Sequence, residues 1–174
     1  MNPSSDTLSS GQQLVLVLLR FSVGWHLFYQ GFGKLQAVGW TSQGYLQATS
    51  GPLAFLFHGI AQSPRLLGLV DAITIWGLMI LGLFLMIGLF SQASAMGGFF
   101  LLMLFYLAAP PLAYQGFIVE TVEGTELYVN KTLLEAFALL VVFSFQTGRM
   151  AGLDILIDRW RAGRESQNGQ MAEL

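Results

Sequence analysis

Apolar residues recur along this chain in four long stretches that few polar positions interrupt. A helix needs about 20 mostly apolar residues to cross about 30 Å of hydrocarbon. The first stretch runs from Leu14 to about Gly33, after a polar arm at Asn2–Gln13. The second covers Leu66–Phe90, the third Ala93 to about Ala109, and the fourth about Tyr128 to Phe145. The first does not read as a cleaved leader, because its arm carries no base, no A-x-A site follows and Arg20 interrupts it.

Only Ser91-Gln92 separates the second and third stretches, which predicts an antiparallel hairpin. Pro110-Pro111 closes the third, since neither residue can donate a helical hydrogen bond. Between the first and second lie Leu35–Arg65, with Trp40, Tyr45 and the apolar run Pro52–Phe57. That run is too short to cross and suits an interfacial or re-entrant helix with its rings at headgroup level. Near the end, Leu153, Leu156, Ile157 and Trp160 recur at helical spacing with Asp154, Asp158 and Arg161 opposite. This predicts an amphipathic surface helix over residues 148–163, followed by a disordered tail at 164–174. The expected fold is all-α: an integral membrane four-helix bundle over residues 14–147, with the interfacial segment in its first outer loop and the amphipathic helix after it.

Composition agrees with a membrane location. Hydrophobic residues make up 54% of the 174 and charged residues 10%, where a soluble domain carries about 25% charged. Mean hydropathy is +0.61. The absence of cysteine excludes a disulfide framework, a zinc–thiolate site and a dithiol redox centre. A net charge of −2 gives no reason to expect nucleic acid. Arg149, Arg159, Arg161 and Arg164 follow the fourth stretch, whereas residues 114–131 hold Glu120, Glu123 and Glu126 against Lys131 alone. The positive-inside rule then places both termini in the cytoplasm of a cell with this chain in its inner membrane.

Arg20, Asp71 and Glu135 stand inside these stretches, where a charge costs several kcal/mol unless it finds a partner, a cavity or the headgroup layer. At 100° per residue Arg20, Gly24, Leu27, Gly31 and Lys34 form one stripe of the first helix, with His26, Gln30 and Gly33 beside it. Asp71, Leu78 and Gly82 share a face of the second helix, and Tyr128, Lys131, Glu135 and Leu139 one of the fourth. At about 1.5 Å per residue, Asp71 and Glu135 both lie shallow, near the level of His26 and Gln30. Asp71, Glu135, His26, Gln30, Lys34 and Lys131 are therefore expected around one outward-opening cavity, which Arg20 would reach only with its long side chain. Other readings stay open. Arg20 can snorkel to phosphates, Lys34 can simply end its helix, His26 can be a packing residue, and Lys131–Glu135 can be an i,i+4 pair. His26 and His58 lack metal-ligand spacing, so no metal is expected.

The chain carries Arg20-x3-Gly24-x6-Gly31-x2-Lys34, then Asp71 with Trp76-Gly77-Leu78, Gly82 and Gly88, then Pro110-Pro111-Leu112, Glu123-Gly124, Val129-Asn130-Lys131-x3-Glu135 and Gly152-Leu153-Asp154. In order and spacing these motifs resemble those of the DoxX/DoxD family of small four-helix membrane proteins. Together they cover about residues 14–158. The resemblance implies a quinone-linked oxidoreductase subunit of the thiosulfate:quinone type, passing two electrons from thiosulfate to a membrane quinone to give tetrathionate. Under that reading Asp71, Glu135 and His26 handle protons, while Arg20, Lys34, Lys131, Asn130 and Gln30 hold the anion. The quinone ring, the electron acceptor, would lie near Trp76, Tyr29 and Phe28. The expected partners are the bilayer, a second DoxA-like or soluble redox subunit, and optionally another copy of the chain. The alternative is a non-catalytic scaffold or assembly partner of a redox enzyme, or a small-solute permease.

Overall fold

The computed structural model describes residues 8–49, 53–108, 125–126, 129–155 and 160. Six α-helices account for most of these: α1 (Ser10–Gln36), α2 (Gln43–Gln47), α3 (Ala54–Gln62), α4 (Pro64–Ile87), α5 (Ser91–Ala108) and α6 (Lys131–Ser144). A two-residue antiparallel pair, β1 (Thr125–Glu126) with β2 (Val129–Asn130), leads into α6.

Capping chemistry moves the helix ends away from where hydropathy alone put them. Ser9 and Gln12 form a capping box, with Gln12 N–H donating to Ser9 Oγ at 3.3 Å and Ser9 N–H to Gln12 Oε1 at 2.8 Å. Residues Ser10–Gln13, expected in the polar arm, are therefore the first turn of α1. Pro64 opens α4, where its missing N–H costs nothing. Gly88 closes α4 at φ +69, a left-handed position that glycine occupies freely. The hairpin turn is thus Gly88–Phe90, and Ser91 and Gln92 already belong to α5.

The fourth stretch is shorter than expected. Asn130 accepts a hydrogen bond from Leu133 N–H at 2.9 Å and caps α6. The 14 residues of α6 rise only about 21 Å at 1.5 Å each, short of the hydrocarbon thickness. Among the described residues, three helices are long and apolar enough to cross a membrane: α1, α4 and α5.

Helix α1 lies along α4 and α5 along α6, while α4 touches α5 and α1 touches α6. Leu27, Leu78, Leu85, Leu139 and Val142 fill the space between them, each under 3% exposed. Glycines let α1 and α4 approach backbone to backbone: a Cβ on Gly24 would meet Gly82 O at 2.9 Å, and one on Gly31 would meet Ile75 O at 2.8 Å. Of the stripe expected to face inward, Arg20, Gly24, Leu27 and Gly31 are buried and Lys34 is partly exposed. The opposite surface is apolar and open. Trp25, Tyr29, Leu69, Ile73, Trp76 and Leu104 are each more than half exposed, consistent with a multi-pass membrane protein.

Helices α2 and α3 are too short to cross. Leu46 of α2 and Phe57 and Ala61 of α3 pack with Ala108 at the end of α5, forming a second core. Phe55 and Leu56 point away from it. The expected amphipathic helix falls mostly outside the described residues, as do the tail, Pro110-Pro111, Glu120 and Glu123. What is described after α6 is a 3₁₀ turn at Thr147–Arg149 and a tightly held segment reaching Ile155.

Candidate functional site: a polar cavity between α1, α5 and α6

Two helices, α1 and α6, place polar groups at one end of the bundle. His26, Gln30 and Lys34 follow one another at i,i+4 spacing on α1, and Lys131, Thr132 and Glu135 occupy the first turns of α6. They enclose a hollow of about 130 Å³, whose floor and far wall are Leu27, Leu78, Leu102 and Phe105. Asn130 fixes where the α6 residues fall by starting that helix at Lys131.

Within the hollow the groups form a continuous chain. His26 Nε2 lies 3.2 Å from Glu135 Oε1, and Lys131 Nζ lies 3.9 Å from the same oxygen. Gln30 Nε2 is 3.1 Å from His26 Nε2. Lys34 donates to the Gln30 carbonyl at 3.2 Å and to Gln30 Oε1 at 3.3 Å. An ammonium can only donate, so Lys34 orients the Gln30 amide with its oxygen outward and its NH₂ towards the imidazole. One ring nitrogen cannot accept from Gln30 and donate to Glu135 at once. Nε2 therefore serves one of these contacts at a time, and the tautomer of His26 decides whether the imidazole or the carboxyl group carries the shared hydrogen. The arrangement can hold one proton and move it across 3.2 Å, beside two cations able to hold an anion.

Five of the six residues expected around one cavity are brought together: His26, Gln30, Lys34, Lys131 and Glu135. Asp71 is not among them. Its Oδ1 accepts from Ser42 N–H at 2.8 Å and from Ser42 Oγ at 2.5 Å. Asn130 spends its side chain on the α6 cap. Arg20, only 3% exposed, lies at the other end of the bundle and neither snorkels nor reaches the hollow. Its guanidinium donates to Thr147 O at 2.8 Å and Ala151 O at 2.5 Å. Tyr29 and Trp76 stand on the outer surface at 61% and 52% exposure, and Phe28 stacks on Phe32 at 6.0 Å. None of the three lines the cavity. Among the described residues no group of three or more metal-binding side chains occurs.

The sequence reading placed Leu27 and Leu78 on the polar stripes of their helices but missed Thr132, Leu102 and Phe105. Thr132 sits three residues before Glu135, on the same helical face, and that spacing was the available signal. Leu102 and Phe105 carry no mark that separates them from other apolar residues of α5.

No protein-family model, curated protein or solved structure matches this chain.

Proposed function

We propose that this protein is a membrane subunit of a quinone-linked oxidoreductase resembling the DoxD type, and that its cavity binds the small oxyanion that donates electrons. The observation that carries the reading is the His26–Glu135 pair, 3.2 Å apart in a hollow also lined by Lys34 and Lys131. Two lysines satisfy a dianion such as thiosulfate, and the adjacent pair is a positioned acid–base group. In the reaction two thiosulfate ions join through a new S–S bond as tetrathionate and release two electrons. A quinone takes up those electrons with two protons.

None of Phe28, Tyr29 and Trp76 lines the cavity of about 130 Å³, and Tyr29 and Trp76 stand on the outer surface. The ring is therefore assigned to the lipid side, and the chain's own residues to anion binding and to holding a proton at Glu135 Oε1 or His26 Nε2. The reading further places α6 as a fourth, partial span, α3 at the interface and both termini in the cytoplasm. The test is quinone reduction by purified protein in lipid, with thiosulfate as donor, alone and with the redox subunit that co-purifies from its native membrane. Thiosulfate-dependent reduction supports the reading, and its absence in both preparations overturns it.

The cavity's lining favours one other reading, a small-solute permease, because Lys34 and Lys131 suit a small anion. Thiosulfate uptake into proteoliposomes that lack quinone would select it.

A further inference from the structure

Residues 37–47 run from the end of α1 past α4 to α5 as a strap, and three of its side-chain fastenings stand out. The Trp40 ring carries the Lys34 ammonium 5.7 Å from its centroid. Ser42 gives both its N–H and its hydroxyl to Asp71 Oδ1. The Tyr45 hydroxyl donates to Phe105 O at 2.8 Å. Phe105 falls in the last turn of α5, where carbonyls lack helical partners and accept from elsewhere. Two of these anchors, Lys34 and Phe105, line the cavity. The third is Asp71.

The Asp71 fastening is the strongest of the three, since both its bonds end on an ionised carboxylate in a half-buried place. Leu46, 4% exposed, seats the strap's other face against Phe57 and Ala108.

We propose that Asp71 is a positioning residue for the cavity: through Ser42 it latches the strap across the mouth and so governs which solutes reach Glu135. This rests on reading the cavity as a solute site and adds how access to it is controlled. It also accounts for a carboxylate on a spanning helix that takes no part in the cavity lining.

Because the chain has no cysteine, Thr132→Cys places a single thiol on the cavity wall. The full chain in lipid nanodiscs is treated with sulfonatoethyl and trimethylammonioethyl methanethiosulfonate, and modification rates are compared. Adding Asp71→Ala raises the rate at residue 132 at least tenfold, Asp71→Asn raises it less, and Tyr45→Phe raises it several-fold. A control thiol from Gln36→Cys, at the exposed end of α1, reacts equally with and without Asp71→Ala. Equal rates at residue 132 in all backgrounds overturn the proposal, as does a parallel rise at residue 36, which would mean general loosening. If Asp71→Ala does not fold, Ser42→Ala removes the hydroxyl bond alone, and an unchanged rate there is equally fatal. The labelling needs neither thiosulfate nor quinone, so it stands or falls separately from the redox assay.

Discussion

Gly88 and Gly152 meet back to back, so closely that a Cβ on Gly88 would stand 2.6 Å from the Gly152 Cα. Around this contact the chain after α6 is tied to the turn between α4 and α5. Leu153 N–H donates to Ile87 O and Asp154 N–H to Gly88 O. Gly88 also holds φ +69, where a side chain is strained. Gly88→Ala and Gly152→Ala should each destabilise by about 2 kcal/mol or more through overpacking. Gly59, with nothing within 4 Å of an added Cβ, gives the control: Gly59→Ala should leave thermal unfolding in detergent unchanged or slightly raised.

Arg20 holds the same junction from the other side. Its planar fork reaches two carbonyls at once, Thr147 O and Ala151 O, which a single ammonium cannot reproduce. Arg20→Lys should cost about 2 kcal/mol, in the range of hydrogen bonds from charged groups. Arg20→Met should cost more, because both carbonyls lose their donor. Protease cutting near residue 150 should rise in both variants, while thiosulfate binding at the distant cavity stays within twofold of the parent.

Asp154 caps α5 across the chain. Its carboxylate accepts from Phe90 N–H at 2.7 Å and Ser91 N–H at 3.0 Å, the first free donors of that helix. Asp154→Ala should lower stability by about 1–2 kcal/mol and Asp154→Asn by less, since asparagine caps nearly as well. Denaturation of the two variants under identical lipid conditions checks the order.

At the cavity, Glu135→Gln keeps the shape and removes the exchangeable proton. Thiosulfate-dependent quinone reduction should fall about 100-fold, the lower range for a lost acid–base group. Gln30→Leu breaks the link between Lys34 and His26 and should give a smaller loss. Activity unchanged in both variants removes the pair from the mechanism.

Much of this arrangement was legible in the sequence. The α1 stripe of Arg20, Gly24, Leu27 and Gly31 faces inward because 100° per residue fixes the relative direction of side chains on a straight helix. The five polar cavity residues share a level because helix rise fixes depth. What stayed hidden depends on non-helical chain. Asp71 has the right depth for the cavity but meets Ser42, whose position follows from the path of residues 37–42 and not from any period. Arg20 bonds to carbonyls, and a backbone acceptor leaves no trace in residue identity. Asp154 is expected on the polar side of a surface helix, opposite Leu153 and Trp160, yet its carboxylate caps α5 in space that Gly148 leaves open. The 14-residue length of α6 likewise followed from its Asn130 cap, not from where the apolar run began.

Equilibrium binding of radiolabelled thiosulfate to the purified chain in lipid addresses the cavity most directly. The parent should bind saturably, one ion per chain, and Lys34→Ala and Lys131→Ala should each weaken binding at least tenfold while Arg20→Lys does not. Absence of saturable binding, or affinity equal to the parent's in both lysine variants, would contradict the assignment of this hollow as an anion site.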